Sequence, residues 1–210
     1  MILHRLLSAA ALLALMLCLS CVSALRPKTL PPEFYRMQYD TRDIACEAGF
    51  AGALRVWDFA TSPPFNRMGM AVQEVNGTVA FSRRNQWAAL PGIMVSNALE
   101  RDLRQGSLFP EVLSASTDGE GLYELTGSVH VLCLSRGKNG GKALLKAEVA
   151  LTGRQEAGEL LYHEHFILRS PPLAGEEPDA FAQAMNELAA ELSHRIRQDL
   201  CGVARRLSSG

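Results

Sequence analysis

What this sequence lacks narrows its function before anything it contains. It has no surplus of charge: 21 Lys and Arg stand against 22 Asp and Glu, a formal net charge of −1. Nucleic acid is bound largely through phosphate charge, so the chain carries no electrostatic footprint for it. No run of like charge is long enough to read as a disordered tail, and no internal repeat marks a solenoid. There is no G-x-S-x-G elbow, no H-E-x-x-H helix and no Cys–His pair in a nucleophilic context. Asp and Glu are scattered singly, so no carboxylate pair stands out for acid–base work. Gly137-Lys138-Asn139-Gly140-Gly141-Lys142 has glycines but not Walker spacing, and Ala143 stands where Ser or Thr should follow the lysine. It reads as a hairpin turn, and Asp118-Gly119-Glu120-Gly121 as a turn rather than a calcium loop. These absences give no reason to propose an enzyme, and we expect no catalytic residue, no cofactor and no metal ligand.

What is present begins with an export signal. His4 and Arg5 precede the apolar run Leu6–Leu19, LLSAAALLALMLCL, which is excluded from fold reasoning. Three fates compete for it. Lipidation would cut before Cys21, where Ser20 is suitably small but Cys18 departs from the usual Leu. Ordinary cleavage would follow Val22-Ser23-Ala24. An uncleaved segment from Leu6 to Leu25 has about the 20 residues a bilayer needs. All three place the remainder outside the cytoplasm. The working division is a signal peptide over 1–20, a lipid anchor and Pro-rich tether over 21–32, and one domain over 33–210. If Cys21 is lipidated, Val22 rather than Asp after it points to the outer membrane. Of the remaining cysteines, Cys133 reads as a small buried hydrophobe. Cys46 and Cys201 could pair in an oxidising compartment, and spacing alone leaves that open.

Periodicity supplies the elements. Phe34–Tyr39 suits a first strand, and Ala45–Ala53 a Gly-rich loop. In Leu54–Ala60, Leu54, Val56 and Ala60 suit one face, and Arg55, Trp57 and Phe59 the other. Pro63-Pro64 then stops the ladder. Asn76-Gly77 between Met70–Val75 and Thr78–Arg83 predicts a two-residue hairpin with both central residues at positive φ. Pro91–Gln105 reads as a helix capped by Gly106. Leu122–Leu134, Lys142–Thr152 and Leu160–Leu168 alternate with period two, and their short connections predict an antiparallel meander. In the first of these, Tyr123, Leu125, Val129, Val131 and Cys133 are expected inside. A last helix, capped by Asp179 and ended by Gly202, carries the core stripe Phe181, Met185, Leu188, Leu192 and Ile196. The fold class is α/β, a mixed sheet with an antiparallel meander and two main helices packed on it.

Two clusters invite a site. His163-Glu164-His165 puts two imidazoles on one strand face. A metal would need a third ligand from His130 or an acidic neighbour, and the preferred reading is a wet sheet face. His194 reads as a surface residue. Trp57, Phe59, Phe65 and Trp87 either pack the edge of the core or offer anchors to a partner, the role we assign to Phe65, Arg67 and Trp87.

The order of elements resembles one family. A tethered cysteine, LRVWDFATSPPF, Arg67-Met68, a hairpin, Trp87 with Pro91 four on, and a helix closing at Gly106-Ser107-Leu108-Phe109 follow in turn. Tyr123-Glu124-Leu125, the meander and the long last helix complete the series. The chain resembles the ABC-type transport auxiliary lipoproteins, the paraquat-inducible protein C-like group, over nearly all of its mature length. The resemblance implies a periplasmic domain, lipid-anchored through Cys21 to the outer membrane. It implies that this domain serves an ABC transporter, docking on its MCE-domain protein and permease while phospholipid crosses the envelope. It also implies a central strand that leaves the sheet at its prolines and leads into the hairpin. Whether the domain holds lipid itself or forms a homo-oligomer stays open. The rival function is an envelope lipoprotein that activates or assembles another partner, such as a cell-wall synthase.

Overall fold

The two longest strands, β7 (Tyr123–Gly137) and β8 (Gly140–Gly153), organise one mixed nine-stranded sheet in this computed structural model. The structure describes residues 30–209, except 139, 155–157 and 176. The signal segment, Cys21 and most of the tether therefore lie outside the described residues. β8 and β9 (Glu159–Arg169) follow β7 as the expected antiparallel meander. The other edge of β7 is shared by three short strands, all parallel to it: β2 (Leu54–Val56), β3 (Ala60–Thr61) and β4 (Gly69–Gln73). β4 pairs with β5 (Val79–Trp87), β5 with β1 (Glu33–Tyr35), and β2 with β6 (Val112–Leu113).

The stretch from Leu54 to Gln73 is thus a single pass along β7, interrupted twice. Between Val56 and Ala60 it holds one residue more than β7 holds between Leu125 and Ser128. That bulge reverses the facing of the strand. Phe59 enters the core and Ala60 is exposed, the opposite of the alternation read from the sequence. After Ser62 the double proline lifts the chain off the ladder. Phe65 then turns back onto the sheet against Ala71, Cys133 and Leu144.

A second bulge lies in β7 itself. The register with β8 slips between Val129 and Val131, leaving His130 as the extra residue. Leu125 and Val129 face the helices before it, and Leu132 and Leu134 after it. Val131 and Cys133, expected in the main core, face the other side with Phe65.

Both helices cover one face. α1 (Pro91–Gln105) and α2 (Pro178–Ser209) pack on β7, β8 and β9. The stripe Phe181, Met185, Leu188, Leu192 and Ile196 is buried as expected. Two expectations at the ends of α2 fail. Asp179 sits inside the first turn rather than at the cap, and the helix runs through Gly202 to Ser209. Leu200, Cys201, Val203 and Ala204 stay buried there, so continued packing outweighs the weak helix propensity of one glycine. α1 ends at Gly106, whose N–H donates to the Leu103 carbonyl, with Leu108 and Phe109 buried behind it.

The hairpin turn is one residue longer than the Asn-Gly pair suggested. Gly77 N–H donates to the Glu74 carbonyl and Glu74 N–H to that of Thr78, so Val75 and Asn76 are the central residues. Gly77 takes the left-handed position at φ 87°, which glycine alone occupies without strain. Asn76 Oδ1 accepts from Thr78 N–H and from its hydroxyl.

Cys46 and Cys201 are joined in a disulfide, their Cα atoms 5.9 Å apart. Residues 36–53 form no regular element among the described residues; the first strand ends at Tyr35, short of the expected Tyr39.

Candidate functional site

The helix-free face of the sheet is where the chemistry collects. Half of it is sealed by the loop after the double proline. Phe65 packs edge-on to Phe81 with ring centroids 6.4 Å apart, and the Arg67 guanidinium lies over the Phe81 ring at 5.0 Å. Phe65 is therefore buried, and its ring seals the sheet rather than projecting to a partner. Arg67 remains exposed. Trp87 is corrected more sharply: at 1% exposure it is a core residue, set edge-to-face on Phe181 of α2. β5 carries it under the long helix, a contact nothing local in the sequence encodes. The exposed indole is instead Trp57, 40% exposed, with the Arg55 guanidinium 5.4 Å from its ring.

Cys133 lies in the sealed half. Burial pushes its thiol up to about 11, offset in part by the Lys146 charge, so it is an inert hydrophobe as expected.

The other half is open and polar. Glu148 on β8 stands opposite His165 of β9, with His163 two residues along on the same face. His163 Nε2 lies 2.7 Å from Glu148 Oε1. The bulge tips His130 toward the same carboxylate, its Nε2 3.2 Å from Oε2. Hydrogen bonds from His163 first, and from His130 next, hold the Glu148 carboxyl below its ordinary value. The His165 Nδ1 approaches the same Oε2 at 3.6 Å, and its ring stands 4.9 Å from that of His163, inclined by 66°. His130 is steadied on its other nitrogen by Ser62 Oγ, 2.9 Å from Nδ1. Ser62 is fixed in turn by its N–H bond to the Val129 carbonyl.

The sequence pointed to His163 and His165 through their spacing. It named His130 as one source of a third ligand, and the bulge delivers it. Glu148 was missed as an individual: its only signal is the antiparallel register, which pairs it with His165. His194, read as a surface residue, is half-buried on α2, away from this cluster in the sheet.

Comparison with solved structures supports the fold. Protein XCC0632 from Xanthomonas campestris matches with a TM-score of 0.74 at 13% identity, over 85% of this chain and 100% of that one. The hypothetical protein CT253 from Chlamydia trachomatis matches at 0.52 and 9% identity, over 73% and 97%. A search of curated proteins finds no match. Among the described residues, no helix is long and apolar enough to cross a membrane. The profile of the ABC-type transport auxiliary lipoprotein component matches residues 52–197, from just before β2 to the middle of α2, and the chain belongs to that family.

Proposed function

We propose that this chain is the accessory lipoprotein of an MCE-type ABC transport system. In this reading it binds the MCE component, with its permease, and supports phospholipid transport across the envelope. The family match carries the reading, because it runs unbroken from just before β2 through the first helix and the meander into the second helix. Membership in a lipoprotein family associates the chain with the cell envelope. The Cys46–Cys201 disulfide supports an oxidising compartment. Cys21 is the proposed lipid attachment site, on the periplasmic side of the outer membrane. The domain acts by binding rather than by catalysis. Arg67, exposed in the loop that follows β3, is the proposed contact residue.

A crosslinked pull-down from native envelopes, tagged at Gly210, tests the reading. Recovery of an MCE-domain protein supports it. Recovery of a cell-wall synthase or an outer-membrane barrel in its place overturns the function and leaves the fold intact. In the same strain Cys21→Ala is expected to release the protein from membranes; retention would identify an uncleaved helix as the anchor.

A further inference from the structure

We infer that His130, Glu148 and His165 form a binding site for a divalent transition-metal cation of the zinc type, with His163 positioning the carboxylate. The inference rests on this side-chain cluster and is independent of the transport reading. One ligand atom each from His130, Glu148 and His165 can be chosen so that all lie within 4.8 Å of one another. Around tetrahedral zinc, with bonds of about 2.0–2.1 Å, ligand atoms stand about 3.3 Å apart. The separations at Glu148 Oε2, 3.2 Å to His130 Nε2 and 3.6 Å to His165 Nδ1, bracket that value.

Hydrogen bonding alone accounts for only part of the arrangement. His163 Nε2 at 2.7 Å is a hydrogen bond to Oε1, too close for two ligands of one ion to be the better description. It therefore holds the carboxylate and leaves Oε2 to the cation. His165 Nδ1, at 3.6 Å from Oε2, approaches the same oxygen from just beyond hydrogen-bond range. A cation between Nδ1 and Oε2 explains that approach.

The tautomers agree with this. Without a cation His130 Nε2–H donates to Glu148 Oε2, with Ser128 Oγ also 3.1 Å from that nitrogen; with a cation bound, Nδ1–H donates to Ser62 Oγ and Nε2 turns its lone pair to the ion. In that second tautomer Nε2 and the carboxylate oxygen are both acceptors, and a cation between them relieves their repulsion. A ligating imidazole whose second nitrogen is hydrogen-bonded to a fixed partner is the usual arrangement at zinc centres. Ser62 supplies that partner, held by β7 just before the double proline. The donor set of two imidazoles and one carboxylate suits zinc and excludes a calcium or magnesium preference. Three protein ligands on an open face leave a fourth position for water or for a group from a docking partner.

The test uses the full-length lipoprotein extracted in detergent, carrying an affinity tag free of histidine and stripped with chelator. Titration with Zn(II) by calorimetry is expected to give one ion per chain. Co(II) is expected to give the visible bands of a four-coordinate centre with imidazole ligands. Glu148→Gln and His165→Asn should each abolish both signals. His163→Gln should keep the stoichiometry and weaken affinity about 10- to 100-fold, as loss of a supporting partner does. His194→Ala should leave both signals unchanged, and circular dichroism confirms that each variant is folded. Absence of one-to-one binding overturns the proposal. So does binding that survives in both Glu148→Gln and His165→Asn, or that is lost equally in His194→Ala.

Discussion

Asp102 shows how much one side chain can hold in place. It sits on α1 with no exposed surface, and a buried carboxylate is tolerated only when its oxygens are satisfied. Oδ1 accepts from Thr41 Oγ1 at 2.7 Å and from two nitrogens of Arg101 at 3.0 and 2.9 Å. Oδ2 accepts from the Tyr39 hydroxyl at 2.9 Å and from Ser193 Oγ at 2.6 Å. One carboxylate thus joins α1, α2 and the irregular segment before β2. Burial, and then the negative charge of Asp102, push the Tyr39 phenol above its ordinary range, so Tyr39 stays a donor at every physiological pH. Asp102→Ala removes the acceptor of five hydrogen bonds from four side chains, of which Arg101 alone can turn to solvent. The expected cost is about 3–5 kcal/mol, by analogy with breaking a buried charged network, read as a lowered urea midpoint at unchanged slope. A loss below about 1 kcal/mol would mean that water replaces the carboxylate and that the site is less dry than its geometry implies.

At the level of elements, the sequence displayed types and order but not phase. The meander, both helices and the stripe from Phe181 to Ile196 were legible because period-two and period-3.6 patterns depend only on neighbouring residues. The bulges before Ala60 and at His130 were not legible. One inserted residue inverts every later facing, which is why Phe59, Val131 and Cys133 changed sides. The candidate site divided along the same line. His163 and His165 share a strand and could be paired by spacing, whereas Glu148 joins them only through register. Trp87 and Phe65 misled for a related cause, since an aromatic at the end of a strand or in the loop beyond one carries no local mark of which element will cover it. Close approach between elements is equally silent in sequence and gives a prediction of unusual sign. Gly92, in the first turn of α1, would place a Cβ only 2.1 Å from the Phe59 carbonyl oxygen and 2.6 Å from that of Ala60. Its N–H also donates to Thr61 Oγ1 at 2.8 Å. Helix propensity alone would favour Gly92→Ala by about 1 kcal/mol. The collision is with backbone, which cannot swing aside, so α1 must lift from β3. The expected net result is destabilisation of roughly 1–3 kcal/mol, the range for overpacked sites, and a stabilised Gly92→Ala protein in thermal melts would show that the helix docks more loosely.

Over the whole molecule, the weakest regular structure coincides with the most varied fastening. Residues 36–53 make neither helix nor strand, and irregular segments of this length are uncommon inside compact domains. This one is a strap across both helices. Gln38 N–H donates to Asn186 Oδ1, Arg42 pairs with Glu191, and the Arg42 carbonyl accepts from the buried Arg197. Phe50 stacks on Phe109 with ring centroids 4.3 Å apart, and its N–H donates to the Leu108 carbonyl. Each tie spans at least 58 residues of chain, so each carries a large loop-closure cost. The exposed Arg42–Glu191 pair contributes little against that cost. The Cys46–Cys201 bridge changes the balance because it constrains the unfolded chain. Its sequence separation of 155 residues corresponds to about 5 kcal/mol in the chain-entropy description, with about 2–5 kcal/mol typical when native bridges are removed. Cys46→Ser with Cys201→Ser is therefore expected to lower the unfolding free energy by about 2–5 kcal/mol, read as a fall in the urea midpoint at a given slope. Native-state hydrogen exchange should show where the loss begins, with faster exchange across 36–53 before β7 and β8 are affected. If exchange instead rises uniformly over strap and sheet, the bridge stabilises the domain only globally, and the strap does not open as a separate unit. If neither stability nor exchange changes, the Asp102 network and the Phe50–Phe109 stack are sufficient to hold the strap without it.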